Sequence, residues 1–385
     1  MMKTLKSPRL LAILSFASLA ASLQAQDAVI TDPNVEQAIR DEIRKPNGTL
    51  TLSDLAKVEF LDMSGMGLST LTIPEGLVNL EELDVNNNDL AGSLFSPLKF
   101  PGDLGKLRYL DMSKNDLTSL GFLNGDLSSI EEANFRDNEF RNLTVPELLS
   151  NVTILDLADN ENMTSLTLPE GFTNLVELYA GRGATVEINL PTDLEKLEIL
   201  GLERAELTHL TVPTGIVSIR EILLFGNGLE TIELPDGMVT LEVLDLFDND
   251  LKELYVPDGL GDTLGQFDVG GNDNLELVSI PEVLVDATNN VYTQLLRWQE
   301  DLGFEFEIRL EPRVFTHIER LPNGATELTL MAPVGLYQVY RSLDAEIWTE
   351  GPELRNETGV VTFTDNSSKK EPQYFWRAQR TDRLD

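Results

Sequence analysis

Leu80-Glu-Glu-Leu83-Asp-Val85-Asn-Asn-Asn88-Asp-Leu90 decides how this chain folds, because the phrase keeps returning. It recurs as Leu110-Asp-Met112 with Asn115, Leu155-Asp-Leu157 with Asn160, and Ile222-Leu-Leu224 with Asn227. Leu244-Asp-Leu246 with Asn249 and Phe267-Asp-Val269 with Asn272 complete the strong copies, and weaker ones start at Leu61, Ala133, Leu178 and Leu200. The ten starts, at 61, 83, 110, 133, 155, 178, 200, 222, 244 and 267, are spaced 22, 27, 23, 22, 23, 22, 22, 22 and 23 residues apart. A near-constant period of this size means one small structural unit stacked on copies of itself.

Each conserved slot within the period has a physical reason. Two apolar residues at i and i+2 point to one side of a short strand, into a core, and the residue between them points out. The Asn three places later carries two donors and an acceptor on a short side chain, so it can satisfy turn backbone that would otherwise be buried unpaired. Seven copies have it (Asn88, Asn115, Asn138, Asn160, Asn227, Asn249, Asn272), while Met66, Gly183 and Ala205 replace it in the others. A second phrase follows: Leu71-Thr-Ile73-Pro74-Glu-Gly76, again at Leu166–Gly171, Leu210–Gly215, Ile232–Gly237 and Leu254–Gly259. Its alternation predicts a second short strand, and its Pro and Gly predict a type I turn with Pro second and Gly fourth.

The pattern LxxLxLxxNxL in Leu80–Leu90 and Leu241–Leu251 resembles that of the leucine-rich-repeat family. The Leu-Thr-x-Leu-Thr-Val-Pro return is similar to bacterial subtypes with strands on both faces. The stretch from Asp32-Pro-Asn-Val-Glu-Gln-Ala-Ile39 to Leu52-Ser-Asp-Leu55 resembles the N-terminal cap of bacterial internalin-like proteins. The expected fold is therefore a β-rich α/β repeat solenoid, a superhelix of about ten 22-residue coils with parallel sheets. A small all-β, sandwich-like domain is expected after it.

Solenoid ends need covers. Asp32 can N-cap a helix that has Pro33 first and Val35, Ala38, Ile39 and Ile43 on one face. At the other end, Val291, Leu295, Leu296, Trp298 and Leu302 lie at helical spacing. From about Leu310 short alternating segments take over, with Pro322-Asn-Gly324 as a turn, and Trp348 and Trp376 read as core anchors. Lys3, Lys6 and Arg9 ahead of the apolar Leu10–Ala21 predict a signal peptide cut after Ala25, and hence export. The expected organisation is 1–25 signal peptide, 26–58 cap, 59–287 solenoid, 288–309 capping helix and linker, and 310–385 β module.

With 29 basic and 65 acidic residues the net charge is -36, which repels phosphate backbones and anionic lipid. Nucleic acid is therefore not expected as a partner, and since no other apolar stretch is long enough to span a bilayer, no membrane insertion is expected after signal cleavage. The absence of cysteine excludes disulfides, thiol nucleophiles and Cys-based zinc sites. His209 and His317, the only histidines, fall in different domains, and no nucleophile elbow, phosphate-binding Gly loop or metal-spaced His pair appears. Asp84-Val-Asn86-Asn-Asn88 opens like a calcium loop but has Asp89 where Gly is needed and Phe95 where Glu is needed. No enzyme, cofactor or metal site is expected.

The outward column of the first strand reads Asp62, Asp84, Asp111, Asn134, Asp156, Tyr179, Gly201, Leu223, Asp245 and Asp268. Stacked about 4.8 Å apart, such carboxylates form a solvated acidic face, pair with Lys114 or Arg136, or bridge a cation. Where the column changes, Tyr179, Ile199, Leu223, Phe225, Val243 and Phe247 make an outward apolar patch flanked by Arg182 and Arg204. These eight residues are the expected ligand-binding site, with another protein as the partner. The alternative is an adhesive envelope component whose acidic face binds divalent cations or a polysaccharide matrix.

Overall fold

A computed structural model describes residues 26–92, 98–185, 187–235, 237–257, 260, 263–281, 290–300, 307–311, 317–323, 325–331, 335–342, 349–356, 360–365 and 375–380. The expected signal peptide and Trp348 lie outside them.

The strong phrase builds one ten-stranded parallel sheet whose strands pair in chain order. The strands are Phe60–Asp62, Glu82–Asp84, Tyr109–Asp111, Glu132–Asn134, Ile154–Asp156, Glu177–Tyr179, Ile199–Gly201, Glu221–Leu223, Val243–Asp245 and Gln266–Asp268. Each opens one coil, numbered one to ten below. The register sets Leu61, Leu83, Leu110, Ala133, Leu155, Leu178, Leu200, Ile222, Leu244 and Phe267 side by side, all buried. The second apolar slot, from Met63 to Val269, forms a parallel buried row. Fully burying one such side chain stabilises the fold by about 1.5–3 kcal/mol, which is how a chain without disulfides stays closed.

The asparagine ladder is present. Asn138 donates from Nδ2 to the carbonyls of Met112 (3.0 Å) and Phe135 (3.0 Å) and accepts at Oδ1 from the Leu117 N–H (3.0 Å). Asn88, Asn115, Asn249 and Asn272 repeat this geometry, so each asparagine ties its own turn to the coil before it. At Asn160 the donors are used, but Oδ1 is buried without a hydrogen-bond partner.

Return strands form the opposite wall in short parallel sheets: Leu71–Thr72 with Leu98–Lys99; Asn142–Thr144, Ser165–Thr167 and Glu187–Asn189; His209–Thr211 with Thr231–Glu233. The proline turn falls one residue later than its sequence predicts. Glu75-Gly76 and Glu170-Gly171 are its central pairs, and the glycines have φ of +101° and +106°, as a type II turn requires at its third position. Pro74 and Pro169 therefore take the first position of the turn, two residues past the strand, instead of the second.

Both ends of the sheet are covered. At the first, helix Pro33–Glu42 is N-capped by Asp32, whose Oδ1 accepts from the Asn34 N–H at 3.0 Å, and it buries Val35, Ala38 and Ile39. Thr51 and Asp54 form a reciprocal capping box on the following turn. The Asp54 carboxylate also receives Lys45 Nζ at 2.6 Å and Lys57 Nζ at 2.9 Å, and the Lys45 bond leads in holding its pKa well below the usual carboxylate range. At the last coil, helix Asn290–Glu300 buries Val291 and Leu295 in the solenoid core, and Gln294 Oε1 accepts the edge N–H of Phe267 at 3.0 Å. A side chain thus stands where an eleventh strand would bond. On the return wall Leu277–Pro281 pairs with Glu253–Tyr255 and with Glu307–Glu311, which carries that wall one strand further.

Beyond it lie two antiparallel three-stranded sheets. His317–Arg320, Thr326–Met331 and Val360–Asp365 form one, and Thr349–Asn356, Gly335–Ser342 and Phe375–Arg380 the other. Leu328 and Leu330 of the first pack with Tyr337, Val339 and Leu354 of the second in a core separate from that of the solenoid. This is the sandwich-like module its alternating segments predict.

Candidate functional site

The acidic column is a set of turn caps. Asp62, Asp84, Asp111, Asn134, Asp156, Asp245 and Asp268 each accept, at Oδ1, the backbone N–H two residues on, over 2.8–3.1 Å. A short carboxylate or amide at this slot closes the strand end as an Asx-turn. The solvated face read from sequence is thus a hydrogen-bonded one. Neighbouring charges still interact: burial, then Asp268 and Glu203, push the Asp245 pKa up, and burial does the same to Asp156 despite Arg136. Among the described residues no group of three or more His, Cys, Asp or Glu is placed to hold a metal ion.

A second column follows the caps. The residue just before each ladder slot is left-handed in every coil: Gly65, Asn87, Lys114, Asp137, Asp159, Arg182, Arg204, Gly226, Asp248 and Gly271, with φ between 53° and 71°. Gly, Asn and Asp tolerate this conformation, whereas a longer side chain is strained by about 1–2 kcal/mol. Arg182 and Arg204 therefore occupy slots where their own backbone preference is poor. Sequence reading missed this column because its residue types differ so widely, although its fixed place beside the asparagine was a usable signal.

The caps lapse in coils six to eight and the ladder in coils six and seven, while coil eight keeps Asn227, which accepts from the Ala205 and Leu207 N–H groups. The cap slots of coils six to eight hold Tyr179, Gly201 and Leu223, and the ladder slots of coils six and seven hold Gly183 and Ala205. The register aligns Tyr179, Gly201, Leu223 and Asp245 in one row and Glu177, Ile199, Glu221 and Val243 in the row beside it. Phe225 and Phe247 continue the outward side of coils eight and nine, with the Gly226 N–H on the Phe247 carbonyl at 2.8 Å.

Tyr179, Ile199, Leu223, Phe225 and Val243 are half-buried, and only Phe247, 44% accessible, is fully exposed. The patch is flatter and more mutually covered than strand alternation alone predicts, because side chains on strands about 4.8 Å apart shield each other. The Tyr179 hydroxyl donates to Glu177 Oε2 at 2.8 Å, and burial followed by that carboxylate raises its pKa.

Glycines shape the surroundings. A Cβ on Gly201 would stand 2.7 Å from Tyr179 Cδ1, so the ring lies over that glycine. Glu203 leans towards coil six, its Oε2 3.2 Å from where Cβ atoms of Gly181 and Gly201 would be. Arg204 runs the other way, across Gly226, and its Cζ sits 5.2 Å from the Phe225 ring centroid, a cation–π contact. Arg182 reaches only Asp159, at 4.0 Å. The eight sequence-predicted site residues thus share one surface on coils six to nine, and Glu203, Gly181, Gly201 and Gly226 join them.

Elsewhere, an open groove of about 810 Å³ runs between the N-terminal cap and the return wall, with Leu52, Ile73, Pro74 and Val78 along it. His209 is exposed on the return wall, its ring nitrogen 2.9 Å from the Thr208 hydroxyl.

A ten-stranded stack of parallel strands, a buried asparagine ladder and a 22-residue period define a leucine-rich-repeat solenoid. The chain belongs to the BspA-type leucine-rich-repeat region family, whose model matches in six copies over residues 66–180, 108–222 and 158–266. No curated protein matches it. Similar solved structures include an internalin from Listeria monocytogenes, 15% identical with a TM-score of 0.41, covering 75% of this chain and 96% of that one. Internalin C2 from the same species is 20% identical, TM-score 0.32, covering 66% and 98%. YopM from Yersinia enterocolitica is 19% identical, TM-score 0.23, covering 71% and 69%. At such TM-scores the family match, not these neighbours, places the chain.

Proposed function

We propose that this is an exported protein-binding module that docks its partner on the outward wall of coils six to nine, centred on Phe225 and Phe247. One observation carries the reading: the turn caps lapse in coils six to eight, the coils that present Tyr179, Leu223 and Phe225. Each omitted cap gives up a local hydrogen bond of about 0.5–1.5 kcal/mol. Replacing it with half-buried apolar side chains gains little inside the solenoid but supplies the desolvated centre that protein interfaces use. The activity proposed is recognition without chemistry. Export rests on the basic and apolar N-terminal stretch, and among the described residues no helix is long and apolar enough to cross a membrane.

The test is capture of crosslinked partners from envelope and culture extracts by residues 26–385. Phe225→Asp/Phe247→Asp runs beside wild type after its melting curve is shown to be unchanged. A protein captured by wild type and lost by the double variant supports the reading. Equal capture by both sinks it, and calcium-dependent self-association alone favours the adhesive alternative.

A further inference from the structure

Arg204 is the anomaly of the outward wall. Arg108 meets Glu131 at 2.6 Å, Arg220 meets Glu242 at 2.7 Å and Glu198 at 3.7 Å, and Arg136 meets Asp159 and Asp156. In a chain with 65 acidic residues, Arg204 makes no ion pair with any described residue. The left-handed column explains why. Its neighbours in that column are Arg182 on one side and Gly226 on the other, while Asp159 and Asp248 stand one step further out. The cap slots of coils seven and eight, Gly201 and Leu223, supply no carboxylate either. Glu203, next in sequence, leans away over the glycines of coils six and seven. Arg204 is then held over the Phe225 ring by a cation–π contact, with no carboxylate on its guanidinium among the described residues.

The two arginines diverge: Arg182 reaches back to Asp159 of coil five at 4.0 Å, a carboxylate that Arg136 also holds, whereas Arg204 runs forward over Phe225 of coil eight. We infer that Arg204 reads a carboxylate: an aspartate or glutamate side chain of the partner protein sits on its guanidinium, and the apolar neighbours of that residue lie on Leu223, Phe225 and Phe247. The inference rests on the docking reading above and names its chemistry. Net charge favours basic partners at long range, but screening limits that field to about 8 Å at physiological salt, so the contact groups decide what is accepted. A carboxylate here gains charge-assisted hydrogen bonds from a guanidinium already ordered by its ring, and it supplies the counter-charge that Arg204 lacks among the described residues.

The experiment is selection of a randomised peptide display library on residues 26–385, followed by affinity measurements on three variants. Arg204→Asn removes the charge in a slot where Asn87 shows that asparagine fits, Arg182→Asn removes the neighbouring arginine that faces Asp159, and Phe225→Asp/Phe247→Asp disrupts the apolar floor. Enriched peptides should carry Asp or Glu beside aromatic or aliphatic residues. They should bind Arg204→Asn about tenfold more weakly and Arg182→Asn nearly as tightly as wild type. Peptides that lose binding to the Phe variant but lack an acid, or ignore Arg204→Asn, overturn the carboxylate while leaving the docking face standing. Peptides indifferent to all three variants, or no enrichment at all, overturn both.

Discussion

Asn138→Ala tests the device that holds the coils together. The side chain is almost fully buried, donates to the carbonyls of Met112, Phe135 and Arg136, and accepts from the Leu117 N–H. Alanine leaves the Leu117 N–H of the preceding coil without its partner, while the Met112 carbonyl keeps Asn115 Nδ2 at 3.0 Å and the Phe135 carbonyl keeps Asn160 Nδ2 at 3.2 Å. A buried polar group left unmade costs about 1–3 kcal/mol, so the substitution predicts about 2 kcal/mol. Asn160 supplies the internal comparison. It keeps three donor contacts, but its Oδ1 is buried with no partner, so alanine also removes an unsatisfied acceptor. Asn160→Ala should therefore cost about 1 kcal/mol less than Asn138→Ala. Urea denaturation followed by circular dichroism measures both, with the slope checked for loss of two-state behaviour. A cost below about 0.5 kcal/mol for Asn138→Ala, or the reverse order, refutes the ladder argument.

Three further outcomes are expected. Asp245→Asn keeps the acceptor for the Phe247 N–H and removes a charge whose folded pKa is raised by burial and by Asp268 and Glu203. A raised acid destabilises the fold once ionised, so the variant should melt higher than wild type at pH 7 and alike at pH 3. Asp54 carries the opposite sign: Lys45 and Lys57 depress its pKa, so its stabilisation is present above its ordinary value of 3.8 and lost as pH falls below that. Asp54→Asn should melt lower at neutral pH, with the gap closing in acid by thermal scans. Gly201→Ala places a Cβ 2.7 Å from the Tyr179 ring, whereas one on Gly102 meets nothing within 4 Å. The first should weaken partner capture and lower stability by about 1 kcal/mol, while Gly102→Ala leaves capture unchanged.

Much of the fold was legible because it is written in side chains that repeat. Leu83 and Val85 mark the inward pair, Asn88 the ladder, and Asp32-Pro33 the helix start. The cap role of the aspartates was not legible, since Asp62 or Asp84 on an outward slot reads equally as a solvated charge until its bond to the N–H two residues on is seen. The left-handed column stayed hidden because a backbone angle links residues as unlike as Gly65, Asp159 and Arg204. That the patch residues are outward neighbours is legible in the alternation, yet their mutual shielding, and Tyr179 lying over Gly201, depend on rotamers that alternation does not set. The proline turn was displaced by one residue because Pro at the first position of a turn and Pro at the second leave similar sequences.

Site-specific photocrosslinking tests the central claim most directly. A photoreactive phenylalanine analogue goes at Phe247, on the patch, and in separate proteins at Asp84 on the capped half of the same wall, Thr167 on the return wall and Val78 in the groove by the N-terminal cap. Each protein is irradiated in envelope and culture extract. The account predicts one discrete protein adduct from position 247 and none from the other three. An adduct that forms from 84, 167 or 78 but not from 247 would contradict it.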